Sequence, residues 1–330
     1  DPPHVQQSTR HEPTRRMHMI HLPEEQPVSA TISYGKNQVT LYRTYAAPLR
    51  VAPIPESQFT GRANQLFAVA VDVEVFGDNF LPAYTEGDNR NVVATDTMKN
   101  VVLKQALAYK GATLEGFLHF LGTQFLATYE HIPALRVRGT EQPFGAASVP
   151  SSSGFDSSAV LFSRSHNDAA YASIDLARDG AAYRLTAHQC GRTGLQLIKL
   201  TGSSFASFAR DEHTTLPETI DRPLFIYLDV SWRYADPDDL LTGRRYLAAE
   251  QVRDFVQVVF HEFNSKSIQH LVYEMGRRLL DRFPQLAAVG FEAQNRLWDT
   301  AFVADDGKTK VYCDPRPPYG LIRLNLEREA

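Results

Sequence analysis

The stretch "NQLFAVAVDVEVF", residues 64–76, sets the first expectation about the fold. Valine alternates with acidic side chains over its last residues, from Val71 onward. An alternation with a period of two is typical of a β-strand that buries one face. A second strand pattern precedes it over residues 30–45, around "ISYGKNQVTLYRTY". The two stretches therefore predict strands of an antiparallel sheet with one buried face.

Two helical patterns follow these strands. In "RNVVATDTMKNVV", residues 90–102, a short β-type run meets Thr95 and Asp96, and either residue is a good helix N-cap. Apolar side chains then recur on one helical face over residues 98–109, and a second apolar stripe covers residues 114–125. The first half of the chain therefore predicts two amphipathic helices after its first two strands.

The rest of the chain returns to strands and then repeats the same order. Residues 141–158, rich in Ser, Gly and Pro, are predicted to form a loop between two strand patterns. The later elements are strands at 182–188, 195–200 and from 223, helices from 248 and at 267–283, and strands near 289–298, 308–313 and "GLIRLNLE". Each half thus reads strand, strand, helix, helix, strand, strand. This order predicts an α+β fold, with antiparallel sheets that carry helices on one face. Because the other face of each sheet needs a partner, we also expect an oligomer.

Composition excludes several functional classes. A net charge of -4 over 330 residues offers no electrostatic basis for binding nucleic acid or a membrane surface. The two cysteines, Cys190 and Cys313, form no CxxC motif, so we predict no metal site of the usual zinc type. Their sparse use indicates a reducing, cytoplasmic compartment, although a disulfide stays open. Residues 1–28 hold four histidines that could bind a metal adventitiously, but we expect a disordered tail.

Four segments, taken in order, resemble the motifs of the urate oxidase (uricase) family. They are "SYGKNQV" (33–39), "VVATDTMKN" (92–100), "FARDEHTTLPETIDR" (208–222) and "SIQHLVYEM" (267–275). The resemblance implies two tandem tunnelling-fold (T-fold) modules, residues 29–180 and 181–330, in subunits that close into barrels and form a homotetramer. It implies oxidation of urate with dioxygen and water to 5-hydroxyisourate and hydrogen peroxide. It also implies that no metal or organic cofactor takes part.

The resemblance assigns substrate-binding roles to four residues of the second half. Arg222 offers two parallel N–H donors that suit one edge of a flat anion, although an arginine in "ETIDR" could instead pair with Asp221 or Glu218. Gln269 would hold the opposite edge with a donor and an acceptor, and Ile268 would contribute its backbone N–H. Phe205 would stack on the purine face, a role for which Phe208 competes by residue type.

The resemblance places a second group in the first half. Thr95 and Asp96 would contact the substrate, since N–H groups at a helix start are fixed donors for an anionic ring. Lys36 would exchange protons with the Thr95 hydroxyl in a relay. In the family these three residues come from one subunit, and the second-half residues come from its neighbour. Read alone, Lys36 is more typical of an exposed turn lysine, and Thr95 and Asp96 of a cap.

Asn295, in "FEAQNRLWD", matches the family asparagine that helps to hold dioxygen or water above the ring. Two residues later the family carries a histidine that completes the relay, whereas this chain has Leu297. Leucine cannot transfer a proton, which keeps a non-catalytic purine-binding T-fold protein as an alternative. A pterin-processing T-fold enzyme is a second alternative, but such enzymes anchor the heterocycle with a glutamate rather than with an arginine and a glutamine.

Overall fold

The computed structural model describes residues 30–164 and 166–329. The predicted tail, residues 1–28, lies outside them. The strands are β1 (Ser33–Thr44), β2 (Leu49–Arg50), β3 (Gly61–Arg62), β4 (Leu66–Phe76), β5 (Ala134–Glu141), β6 (Phe144–Ser151), β7 (Gly154–Arg164), β8 (Ala169–Asp179), β9 (Ala182–Lys199), β10 (Leu224–Tyr234), β11 (Leu286–Asn295), β12 (Thr300–Val303), β13 (Lys310–Tyr312) and β14 (Gly320–Glu327). The helices are α1 (Leu81–Thr85), α2 (Thr95–Ala108), α3 (Leu114–Thr128), α4 (Pro237–Leu241), α5 (Ala249–Glu262) and α6 (Ile268–Arg282).

Eight strands form one antiparallel sheet in the order β1-β4-β5-β8-β9-β10-β11-β14. The first four belong to the first half of the chain, with α2 and α3 between β4 and β5. The last four belong to the second half, with α5 and α6 between β10 and β11. The predicted α+β class and the repeated order of strands and helices are therefore confirmed. β1 and β14 are the two edge strands of this sheet.

The two faces of the sheet differ in chemistry. On β10, buried residues from Leu224 to Tyr234 alternate with more exposed ones, and the helices pack on the buried side. The other side carries charged pairs, such as Arg136 with Asp175 at 2.6 Å. This division follows the period-two pattern of the strands, because only one set of side chains can reach the core. The second face stays polar and open in one chain.

Two segments differ from the sequence expectations. Residues 141–158 are not a loop, because most of them belong to the hairpin β6–β7, whose register pairs Phe144 with Arg164. The hairpin is mostly exposed, so its serines, alanines and glycines carry no core-facing periodicity that a sequence pattern could reveal. The two strands predicted at 182–188 and 195–200 are one continuous strand, β9, whose pairing with β10 shifts register between Leu228 and Val230.

The chain from Ile32 onward forms one compact unit. β8 and β9 pair along their length across residue 180, where we predict the boundary between two modules. The division into 29–180 and 181–330 therefore stays a prediction. Within residues 30–164 and 166–329, no helix is long and apolar enough to cross a membrane.

Candidate active site

Arg222 lies just before β10 and carries a guanidinium that is available for binding an anion. Its backbone N–H donates to the Ser203 carbonyl at 2.8 Å, which fixes the start of the side chain. Its Cζ lies 5.5 Å from the centroid of the Phe205 ring. Its Nε atom is buried and has no hydrogen-bond partner among the described residues. Partial burial lowers the pKa of this guanidinium. The site therefore holds a partly desolvated positive charge that no carboxylate of residues 30–164 and 166–329 pairs with.

The neighbouring acidic residues bind elsewhere, so the surface-turn interpretation of Arg222 is wrong. The Asp221 carboxylate accepts hydrogen bonds from the Thr201 hydroxyl at 2.5 Å and the Gly202 N–H at 2.7 Å. The hydrogen bond from Thr201 is the main cause of its lowered pKa. Glu218 accepts from the Ser207 N–H at 3.1 Å. Both carboxylates thus brace the loop that precedes β10, and the Arg222 guanidinium stays available.

Phe205 is fixed in the same loop. Its N–H donates to the Thr219 carbonyl at 2.8 Å, and the Thr219 N–H donates back at 2.9 Å. Its ring stacks on Phe208, with centroids 4.8 Å apart and an interplanar angle of 11°. The structure therefore places an aromatic ring beside the free guanidinium, as a site for a flat anion requires.

The start of α6 joins this loop through Ser265, whose carbonyl accepts from the Ser204 N–H at 2.8 Å. Ser267 then caps α6 by accepting from the His270 N–H at 3.0 Å. Ile268 and Gln269 form the first turn, the former buried and the latter exposed. The predicted residues Phe205, Arg222, Ile268 and Gln269 thus belong to two connected segments.

Arg222 also lines a cavity of about 240 Å³ with Asn295 and Leu297. Leu297 is 48% exposed, so no core packing requires an apolar side chain there. Aromatic and basic residues for which the sequence predicted no role complete the cavity wall. These are Phe225, Arg296, Trp298, Lys310 and Tyr312. Trp298 stacks on Tyr312 at 4.9 Å, a contact created by the short hairpin β12–β13. The sequence predicted β13 within the strand at 308–313 but did not predict β12.

A larger groove of about 710 Å³ lies elsewhere, beside α5. Two of its polar side chains, Ser57 and Asp254, already bind each other at 2.5 Å. The smaller cavity beside Arg222 is the better candidate for an anion, because its unsatisfied group is a cationic donor. The unsatisfied buried atom of the groove is a carboxylate oxygen of Glu56, which would repel an anion.

The first-half residues form a second group near edge strand β1. Lys36 is half-buried and is the last residue paired with β4 before a bulge. The Val93 N–H donates to the Tyr34 hydroxyl at 2.9 Å, which holds the start of α2 against the same strand. Asp96 has a lowered pKa, mainly because of Lys99 at 2.5 Å and in smaller part because of nearby Lys36. The structure therefore brings Lys36 and Asp96 into one neighbourhood.

The capping role predicted for Thr95 and Asp96 is wrong. Ala94 is the N-cap of α2, and no side chain in the described part of the chain caps this helix. Thr95 and Asp96 are its first two helical residues, and both are exposed. A helix start without a side-chain cap leaves N–H donors available to solvent or to a ligand. The Thr95 side chain therefore makes no capping hydrogen bond.

One chain does not unite the two groups. Lys36 lies on β1 and Asn295 ends β11, and six strand spacings separate these strands in the sheet order. At about 4.8 Å per spacing, that is roughly 29 Å along the sheet. In one chain, the group around Lys36 and the group around Arg222 each therefore supply only part of the predicted site residues. Within residues 30–164 and 166–329, no cluster of three or more His, Cys, Asp or Glu side chains is arranged to hold a metal ion.

An eight-stranded antiparallel sheet made of two similar halves, with helices on one face, has the architecture of a T-fold protein. Its free arginine beside an aromatic ring suits a flat anionic ligand. The family model described as uricase matches residues 32–174 and 188–323. The chain therefore belongs to the uricase family.

Individual relatives support this assignment. A uricase of Halalkalicoccus jeotgali is 50% identical over 300 residues, which cover 90% of this chain and 98% of that protein. The urate oxidase of Bacillus sp. TB-90 has a crystal structure that is similar with a TM-score of 0.86, at 45% identity and over 90% of this chain and 100% of that one. A uricase from Bacillus fastidious is similar with a TM-score of 0.87 at 42% identity, over 91% and 94% of the two chains.

Proposed function

We propose that this protein is a urate oxidase, which converts urate, dioxygen and water to 5-hydroxyisourate and hydrogen peroxide. In this reaction urate loses two electrons, dioxygen gains them and forms the peroxide, and water supplies the added hydroxyl group. The observation that carries the proposal is the free, partly buried Arg222 guanidinium beside the Phe205 ring, in a chain of the uricase family.

Arg222 binds the substrate because its charge is desolvated and lacks a carboxylate partner. A partly buried cation without a counter-ion is costly, and a flat monoanion such as urate removes that cost when it binds. The planar guanidinium donates two parallel hydrogen bonds to one edge of the ring. Gln269 and the Ile268 N–H hold the opposite edge, and Phe205 stacks on the ring face.

The site is completed by a second subunit. Lys36, Thr95 and Asp96 of a neighbouring chain approach the purine bound at Arg222, and active sites form between subunits of a homotetramer. Two features support this arrangement. The outer sides of the edge strands β1 and β14 pair with no other strand of residues 30–164 and 166–329, so a second copy can pair with them. The Lys36 group also lies too far along the sheet to reach Arg222 of its own chain by that route.

The chemistry is carried by positioning and proton transfer. Lys36 and Thr95 exchange protons with the purine, and Asn295 holds dioxygen or water above the ring. We propose that no metal or organic cofactor takes part. With Leu297 in the cavity, the relay ends on water rather than on a side chain. Both cysteines are free and Cys313 is exposed, which supports a reducing, cytoplasmic location.

Leu297 also favours one second candidate, a purine-binding protein without turnover. The two candidates differ in a direct assay. Purified protein is mixed with urate in air, and the loss of urate absorbance and the formation of peroxide are followed with and without a chelator. Chelator-resistant turnover with one peroxide per urate supports the oxidase. Binding without turnover supports the second candidate, and absence of binding contradicts both.

A matched pair of variants assigns the result to the site. Arg222→Ala is expected to lose urate binding and to keep its fold. Arg244→Ala, which removes an exposed arginine of the same half, is expected to behave as the unchanged protein. Equal turnover in the two variants would show that Arg222 is not the residue that binds urate.

A further inference from the structure

Phe208 has no assigned role, yet its ring is the immediate neighbour of Phe205. We propose that Phe208 is a positioning residue that holds the Phe205 ring in the plane needed to stack on the substrate. This inference rests on the proposed function, because it concerns how the same site binds a flat purine.

Four planar groups contact one another in series. The Arg222 Cζ lies 5.5 Å from the Phe205 centroid, and the Phe205 and Phe208 rings are 4.8 Å apart and nearly parallel. At the outer end, the Arg210 Cζ lies 5.3 Å from the Phe208 centroid. Cation–ring contacts and parallel ring pairs both attract, so the parallel Phe208 ring limits the tilt of the Phe205 ring from one side.

The Phe205 ring needs a contact that fixes its plane, because it lies in the segment between β9 and β10, which contains no helix or long strand. Between β9 and β10, the backbone of Phe205 is held by its bridge to Thr219, but this bridge does not fix the side-chain torsions. Ser207 lies between the two phenylalanines with a φ of 59°, in the left-handed region. A non-glycine residue there requires support from its surroundings, and the turn that it makes brings the two rings face to face.

The stack also explains why Phe208 is only half-buried. Both phenylalanines lie outside the apolar core, and their rings contact each other and two arginines instead. A ring that served packing alone would be expected to contact core side chains. A ring that fixes the plane of its neighbour is expected to keep a parallel geometry, as Phe208 does.

The test compares three variants of the full chain. Phe208→Leu keeps the apolar volume but removes the stack, Phe208→Tyr keeps the ring, and Phe120→Leu removes a half-buried ring that packs on Tyr109 at 5.6 Å, away from the site. We expect Phe208→Leu to raise the KM for urate about 2- to 12-fold, the worth of one aromatic pair. Its kcat is expected to change less than its KM, and the other two variants are expected to keep the KM of the unchanged protein.

Binding of urate under nitrogen gives a readout that does not depend on turnover. Weaker anaerobic binding in Phe208→Leu, with recovery in Phe208→Tyr, supports the positioning role. An unchanged KM in Phe208→Leu would overturn it. A lowered KM would also overturn it, because Phe208 would then compete with urate for the Phe205 ring. If Phe208→Leu does not fold, Phe208→Met is judged by the same criteria.

The outcomes separate this inference from the proposed function. If the unchanged protein does not bind urate, the proposed function fails. If it binds urate and Phe208→Leu binds equally well, only the role of Phe208 fails.

Discussion

The Tyr246 hydroxyl donates a hydrogen bond of 2.9 Å to the carboxyl group of Glu115, and the two residues belong to opposite halves of the chain. Glu115 lies in the first turn of α3 and is only 3% exposed. Burial raises the pKa of this carboxyl group to about 7. The contact between the halves therefore contains an acid that holds its proton close to neutral pH.

The first prediction concerns the pH dependence of stability. The unfolded chain releases the Glu115 proton near pH 4.5, whereas the folded chain keeps it to about pH 7. Glu115 therefore makes its full contribution to the free energy of unfolding below about pH 4.5. This contribution falls by roughly 3 kcal/mol in total as the pH rises to 7. Glu115→Gln, which cannot ionise, is expected to be more stable than the unchanged protein at pH 8 and similar to it at pH 5.

Denaturant unfolding at the two pH values measures this effect. Glu130→Gln is the control, because Glu130 is exposed near the end of the same helix. If Glu115→Gln and Glu130→Gln change the free energy of unfolding equally at pH 8, Glu115 is not the group responsible.

The second prediction concerns the Asp221 carboxylate, which ties residues 201 and 202 to the segment that carries Arg222. Asp221→Ala removes this tie and lets the guanidinium move away from its position over Phe205. We expect the KM for urate to rise roughly tenfold, because small displacements of a binding group weaken an oriented contact. Asp179→Ala, at the exposed end of β8, is expected to leave the KM unchanged. Steady-state kinetics measure the KM of both variants. Equal KM values would show that Asp221 does not position Arg222.

The third prediction concerns Leu297, which lines the cavity beside Arg222 and Asn295. Because this side chain is 48% exposed, Leu297→His is expected to cost little stability. The new imidazole supplies a proton-transfer group, so kcat is expected to rise severalfold and to gain a pH dependence near 6.5. Leu297→Gln is polar but does not titrate, and it is expected to show neither change. If the pH profile of Leu297→His were identical to that of Leu297→Gln, the side chain at position 297 would not take part in proton transfer.

Much of the fold was predictable because it follows local periodicity. The alternating valines of β4 and the apolar stripes of α2 and α3 are each visible within one element. The hairpin β6–β7 was not predictable, since its strands pair with each other without burying a face. The N-cap of α2 was predicted at Thr95 or Asp96, whereas the structure has it at Ala94. Only the backbone torsions distinguish these neighbouring positions.

The candidate site was predictable only where a motif carried it. "ETIDR" and "SIQHLVYEM" predicted Arg222 and Gln269 as site residues by resemblance, and the structure adds that the Arg222 Nε has no hydrogen-bond partner among the described residues. Trp298 and Tyr312 were missed because they meet only when β12 pairs with β13. The wide separation of Lys36 from Asn295 depends on the strand order, which no single segment encodes.

If two chains complete one active site, two variants that each lack a different half of the site are expected to restore activity together. Lys36→Met and Arg222→Ala, each expressed alone, are expected to be inactive with urate. When the two variants are expressed together, random assortment gives about one quarter of the sites an intact Lys36 from one chain and an intact Arg222 from the other. The account predicts recovery of urate-dependent peroxide formation at about that fraction. Hybrid oligomers that form but stay inactive, beside a fully active Lys104→Met control, would contradict it.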